Sequence, residues 1–431
     1  MHKHILKITP RSIVYTFGMA SSPLAPAELT ADQSLRQETQ AVGQQMQQAV
    51  GAVLDRLAEA GVRDQKAMQA ALQLSQSAVS RLLTSVRGAD PLAALCVMPG
   101  TEALRQMRRG AAKAGVATSL LRGVDEAVQR FEAFVEQRIG DRSALDSILR
   151  DWVQESRGSF ELRHKAAAFK SMSALRGVQA ELVLTAGILV PSAAGDATHD
   201  CLGIDAVLGC RRTRPSGLLH LHGYTMPPVG TPYQITDLDG RPIDSMADTL
   251  IPAFSTLQPA QVHTQRHGDL VATQVSTLPL GRGAGAGVDL VFGQWIRGVH
   301  RRRRMGGRPT AGLGGQAEPP AVTYVVDALL DDAVWPGVEP SLALYDTVVR
   351  GVAHPDDPLR DGDRLDMVET LQFLGRGPES FRMPEFPRYP ALVRHVCARA
   401  GVDPERLRGY RCKVRFPVYG AQIGIGFPLP E

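Results

Sequence analysis

The chain has 431 residues, enough for roughly two or three domains, and 44% of them are hydrophobic, so a sizeable core is available. A net charge of +4 is compatible with nucleic acid without demanding it, and an aromatic content of only 5% argues against a stacking platform for single strands. No apolar run is long enough to cross a bilayer as a helix, and five cysteines, an odd number without a CxxC pair, fit a reducing, cytoplasmic compartment.

Residues 1–32 read as a flexible tail. The opening MHKHILKITPRSIVYTFG has a basic start, but Pro10 and Arg11 interrupt its apolar stretch, so it makes a poor secretory signal. Met19 opens a second plausible start, MASSPLAPAELT, and translation is expected either there or with 1–18 as a loose tail. From 33 to 176 the pattern is almost wholly helical. Val42, Met46, Val50, Val53 and Leu57 recur at helical spacing across 35–60.

Residues 65–84, QKAMQAALQLSQSAVSRLLT, read as two short helices joined by a tight turn. Asp64 is placed to cap the first, and Met68 and Leu72 share one of its faces. Leu74 follows in the turn and can plug the angle between the helices, and Ser75 is a good N-cap for the second. Val79, Leu82 and Leu83 give that second helix a buried side. Gln76, Ser77, Ser80 and Arg81 stand on its other side. Glutamine can pair bidentately with adenine and arginine with guanine, while Ser77 or Thr84 is suited to phosphate.

This string resembles the phage-repressor-type helix-turn-helix, whose second helix often begins Ser-Gln-Ser-x-Val-Ser-Arg. Ser75, Gln76, Ser77, Val79, Ser80 and Arg81 match it residue by residue. The resemblance spans about 35–110 and implies a DNA-reading domain with Gln76, Ser77, Ser80 and Arg81 as its contact set. Two positions depart from the pattern: Gln69 stands where the family tends to have alanine, and Gln73 where it has glycine. A glutamine in that turn must adopt a left-handed backbone or change the turn. The flanks add Arg63, Lys66, Arg87, Arg105, Arg108, Arg109 and Lys113 against Asp64, Asp90 and Glu102, a local positive excess of the kind phosphate neutralisation requires. Asp90-Pro91 and Thr101 read as further helix starts. The DNA-contacting set is therefore expected to be Ser75, Gln76, Ser77, Ser80, Arg81, Thr84, Arg87, Arg105 and Arg109.

Residues 33–115 are thus expected to form the DNA-binding domain, and 116–177 a helical connector that dimerises through Phe131, Phe134 and Trp152. The character changes near Gly177, where strand-like alternation begins, and 178–300 reads as mostly β. Asp239-Gly240 signals a hairpin. The block His300, Arg301, Arg302, Arg303 and Arg304 with the glycine-rich stretch after it reads as a flexible basic loop over 300–320. Beyond it, 322–326 suggests a strand, 342–349 a helix, 389–400 a helix ending at Gly401, and the last residues two strands split by Tyr419-Gly420.

Signals of chemistry are sparse. His220 and His222 would share a face on a strand, and His263 and His267 on a helix; with His199 and Cys201 close by in sequence, they are the only support for a zinc or iron site. There is no HExxH, GxxxxGK[ST] or GxSxG, and the glycine-rich 281–287 lacks dinucleotide spacing. Asp237 with Asp239, and Asp361, Asp363 and Asp366, read as charged turns. His220, His222, Tyr224 and Trp295 are the candidates for lining a pocket. No catalytic, cofactor-binding or metal-binding residue is assigned. The expectation is an α+β protein: a bacterial-type, sequence-specific regulator of transcription that binds double-stranded DNA as a homodimer. Its β-rich 178–431 would sense a small-molecule effector or a partner, with no membrane involved. The alternatives are a metal-dependent enzyme housed in the β-rich part and a non-catalytic adaptor.

Overall fold

The computed structural model describes residues 26–193, 195, 197–225, 234–267, 270–275, 278–281, 287–304 and 309–431. The alternative start at Met19 lies outside the described residues. The fold is α+β, helices first and sheets after, in two compact units that divide between Arg157 and Gly158. No helix among the described residues is long and apolar enough to cross a membrane.

The first unit is all helical. Its long α1 (Pro26–Glu59) starts earlier than expected and takes in part of the stretch read as tail. Val42, Met46, Val50, Val53 and Leu57 are each at most 2% exposed, so the apolar stripe is the core face. Around it lie α2 (Gln65–Leu72), α3 (Gln76–Arg87), α4 (Pro91–Val97), α5 (Thr101–Lys113), α6 (Thr118–Phe134) and α7 (Arg142–Trp152). Asp90 caps α4 at the Leu92 amide with Pro91 in its first turn, as Asp-Pro predicts. Thr101 is not a cap: Gly100 holds that position without a side-chain hydrogen bond, and Thr101 is the first helical residue. Gly110 of α5 lets that helix rest against the end of α2, since a Cβ there would lie 2.6 Å from the Leu72 backbone. Phe131 and Phe134, expected at a dimer seam, are each 6% exposed and belong to this unit's own core, with Trp152 half-buried against it. An apolar stripe shows that a face is covered, not which surface covers it, and here the cover is intramolecular.

The second unit begins within α8 (Gln154–Arg176). Its main sheet contains β1 (Val178–Pro191), β2 (Thr198–Arg212), β4 (Gln234–Asp237), β7 (Val288–Arg301), β9 (Ala321–Asp331), β11 (Leu371–Arg376) and β12 (Leu407–Arg415). Their spatial order is β11-β12-β9-β1-β2-β7-β4, antiparallel except for β1 beside β9. A small sheet orders β10 (Ser341–Asp346), β13 (Ala421–Pro428) and β8 (Thr310–Gln316), and another orders β3 (Leu219–Thr225), β6 (Leu270–Val275) and β5 (His263–His267). Strand alternation builds the layers. Leu182, Leu184, Ala186 and Ile188 of β1 pack with Leu392, Val393 and Val396 of α9 (Tyr389–Ala400). Val183 and Leu189 belong to the cluster that holds Ala311, Ile423, Ile425 and Phe427 of the small sheet.

Three expectations change here. The stretch 342–349 is mainly strand β10, paired with β13 from Ser341 opposite Gly426 to Asp346 opposite Ala421. The basic loop is shorter than 300–320, because β7 carries His300 and Arg301 while Thr310 to Gln316 pair with β13. The two C-terminal strands do not pair with each other: β12 belongs to the main sheet and β13 to a small one. Inside β9 the apolar run conceals Asp327, fully buried, whose carboxylate takes Nε and Nη2 of Arg411 on β12 at 2.8 and 2.7 Å. Burial pushes the Asp327 carboxyl up, against the opposing pull of that guanidinium.

Candidate nucleic-acid interface

The two-helix element forms where its caps place it. The Asp64 carboxylate accepts the Ala67 amide at 2.7 Å and starts α2, and the Ser75 hydroxyl accepts the Ala78 amide at 3.2 Å and starts α3. Between them Gln73 takes φ 55 and ψ 37, a left-handed backbone at the position where the resembled motif carries glycine. That conformation costs a side-chain-bearing residue about 1–2 kcal/mol. Helix α5 fastens it: Gln106 Nε2 donates to the Gln73 carbonyl, and Lys113 Nζ donates to Gln73 Oε1 at 3.4 Å. Gln65 Nε2 donates to the Gln76 carbonyl at 3.2 Å and ties the two helices together. Met68, Leu72, Leu74, Val79 and Leu82 are all buried beneath the turn.

The opposite side of α3 is uncovered. Gln76, Ser77, Ser80, Arg81, Thr84 and Arg87 are exposed. Their side chains are not equally available. Among the described residues the Gln76 amide group has no hydrogen-bond partner. The Ser77 and Ser75 hydroxyls share a hydrogen bond at 3.0 Å, and the Thr84 hydroxyl donates back to the Ser80 carbonyl at 2.9 Å. Arg81 is engaged: Nε donates to the Val97 carbonyl at 2.9 Å and Nη2 to the Met98 carbonyl at 2.8 Å, a cation at the C-terminal end of α4.

The α5 arginines are engaged as well. Arg105 forks onto Glu132 at 2.7 Å to each oxygen, Arg109 meets Glu102 at 3.0 Å and Arg108 meets Asp125 at 3.1 Å. Glu132 and Asp125 come from α6, beyond the window in which the sequence shows a positive excess, so folding returns acidic groups to that surface. These pairs are all partly exposed and individually worth about 1 kcal/mol or less.

Among the described residues the histidines of the expected metal set do not gather. His220 and His263 are exposed and both pair with Gln274, from opposite sides of β6, so two strand spacings of about 4.8 Å each separate their backbones. The side chains of His222, Tyr224 and His267 lie outside the described residues. His199 is 2% exposed and sits edge-on to Trp335 at 5.3 Å. Burial, with the Arg302 charge next, lowers its imidazole to about 4. Among the described residues no group of three or more His, Cys, Asp or Glu is placed to hold a metal ion. Of the expected pocket set, Trp295 belongs to the main sheet, with Nε1 donating to Asp200 at 3.3 Å, and His220 to a small sheet. Asp237 accepts the Asp239 and Arg241 amides, and Asp363 accepts from the buried Arg360, so these acids order turns.

No family model matches the chain, and no curated protein does. Among solved structures, a candidate protease from Parabacteroides distasonis is 9% identical over 59% of this chain, with a TM-score of 0.22, and the chain spans 41% of it. A likeness that slight carries no argument about fold or activity.

Proposed function

We propose that the chain is a sequence-specific, double-stranded-DNA-binding regulator of transcription, reading the major groove with the exposed face of α3. The supporting observation is the α2-turn-α3 element itself, capped at Asp64 and Ser75, turned at a left-handed Gln73 and presenting Gln76, Ser77, Ser80 and Arg81 outward. In this reading Gln76 reads a base edge with a side-chain amide that has no partner among the described residues. Ser77 and Thr84 meet phosphate, Arg87 supplies a solvated charge, and Arg81 exchanges its carbonyl partners for guanine or phosphate on docking. Arg105 and Arg109 contribute phosphate contacts by exchanging Glu132 and Glu102. Reading a two-fold operator calls for a homodimer, and the β-rich unit takes the part of sensing an effector. Selection of duplex sequences from a random pool by the full chain tests this reading: one enriched motif supports it, and an unenriched pool refutes it.

A further inference from the structure

A cavity of about 420 Å³ lies on the face of the main sheet that is covered by the small β10-β13-β8 sheet, a size ordinary for a small-molecule site. Its walls are chiefly apolar, with Val183, Leu221, Phe292, Ile296 and Leu313 among them. Two acids, Asp205 and Glu318, line it, and its described lining contains neither Lys nor Arg. Gly315 of β8 makes the close approach to the floor: a Cβ there would fall 2.3 Å from the Tyr324 hydroxyl and 2.8 Å from Thr185 Oγ1.

The polar groups on the floor point one way. Thr185 and Asp205 are paired across β1 and β2, and the Thr185 hydroxyl donates to Asp205 Oδ1 at 3.0 Å. With that proton committed, the Tyr324 hydroxyl, 3.1 Å away, donates to Thr185, completing a relay that ends on the carboxylate. The second Asp205 oxygen has no hydrogen-bond partner among the described residues. Also in the lining, Gln294 is only 5% exposed, and its Oε1 is a buried acceptor with no donor among the described residues. A buried amide oxygen without a donor is costly unless one arrives, and the open carboxylate oxygen stands in the same lining.

We propose that this cavity binds a small molecule with an apolar body and a protonated amine, the ammonium donating to Asp205 and Gln294. Burial penalises the carboxylate and holds the Asp205 carboxyl up at about 6; a bound ammonium compensates that charge, and the apolar body fills the chamber. His300, also in the lining, is lowered to about 4 by burial and stays neutral at pH 7, so it adds no repulsion. This gives a chemistry to the sensing role proposed above and rests on that reading only for coupling to DNA, since binding itself is read without DNA.

The test is calorimetric titration of the full chain at pH 7.5 with 2-phenylethylamine, cyclohexylamine and 1,4-diaminobutane, each against its neutral alcohol counterpart. At least one amine is expected to bind, about tenfold or more tighter than its alcohol, and Asp205→Asn is expected to erase that preference. Should Asp205→Asn fail to fold by circular dichroism, Gln294→Leu takes its place and is expected to weaken the amine several-fold. Equal binding of amine and alcohol, insensitivity to the substitution, or no binding by any of the three amines overturns the proposal. Repeating the titration with selected duplex present separates the two readings, because a chain that binds amine and ignores DNA refutes only the regulator.

Discussion

Arg81 Nη2 donates to the Met98 carbonyl at 2.8 Å, so the arginine expected to read a base also fastens α3 to the end of α4. A residue with both duties has a mixed phenotype. Arg81→Ala is expected to lower the unfolding free energy of the helical unit by about 1–2 kcal/mol, because two charge-assisted hydrogen bonds to carbonyls are lost at an exposed residue. It should also weaken DNA binding. Urea denaturation monitored by circular dichroism separates the two effects: an unchanged midpoint contradicts the fastening role.

Gln76 has no such structural duty. Gln76→Ala is expected to leave stability within about 0.5 kcal/mol of wild type and to weaken specific DNA binding by about 1–3 kcal/mol with relaxed base choice. Arg87→Ala is expected to lower affinity for every duplex alike and to reduce the salt slope by about 1. Arg105→Ala and Arg109→Ala should act the same way but more weakly, since each arginine gives up a carboxylate to reach phosphate. Fluorescence anisotropy at several salt concentrations checks all four. Equal effects of all four on every probe would rule out direct base reading.

The left-handed turn makes a backbone prediction. Gln73→Val places a β-branched residue at φ 55 and removes the Lys113 contact, so a destabilisation of about 1–3 kcal/mol is expected. Gln73→Gly should fold as well as wild type. Thermal melts of the two variants check the order, and a Val variant as stable as the Gly variant would mean that the turn is not left-handed in solution.

In the β-rich unit the buried pair of Asp327 and Arg411 ties β9 to β12. Arg411→Met leaves a carboxylate in the core without its cation and is expected to cost about 3–5 kcal/mol, read as a lowered denaturation midpoint. Asp327→Asn together with Arg411→Met should recover much of that loss, and a double variant no better than the single one argues against the charge as the cause.

Asp205 sets a pH signature. Its carboxyl, raised by burial from 3.8 to about 6, favours the folded state when protonated. That stability is fully present below pH 3.8 and is lost as pH rises through about 6, amounting to about 3 kcal/mol. His199 acts in the opposite sense: its lowered value near 4 means that stability is held above 6.5 and lost as pH falls toward 4. The two trends oppose each other between pH 4 and 6. Asp205→Asn should therefore be more stable than wild type at pH 8 and more steeply acid-sensitive between pH 6 and 4. Melting curves at pH 5 and pH 8 check this, and an Asn variant that loses stability at pH 8 contradicts the assigned burial cost.

The sequence announces the α2-turn-α3 element well because its determinants are local. Asp64 and Ser75 cap the turns that follow them, and Met68, Leu72, Val79 and Leu82 fall at helical spacing. What requires the fold is what sequence distance hides. Glu132 and Asp125 return to pair with arginines of α5, and Phe131 and Phe134 find their cover inside the same unit. The stretch 342–349 fits helix and strand periods alike, and only its pairing with β13 decides it. Strand β8 escapes notice because three of its seven residues are glycine, and β-propensity says little where small residues serve close approach. The cavity acid leaves a legible trace: Asp205 within CLGIDAVLGC is a lone charge in an apolar run, as is Asp327, the partner of Arg411, within AVTYVVDALL.

The most direct measurement is binding of the full chain to its selected duplex and to a scrambled duplex at 150 mM salt, for wild type and Gln76→Ala. Wild type is expected to prefer the selected duplex by about 1,000-fold or more, and Gln76→Ala to give up about ten- to a hundredfold of that preference. Equal affinity of wild type for both duplexes, or a Gln76→Ala variant that retains the whole preference, would contradict the proposed base reading.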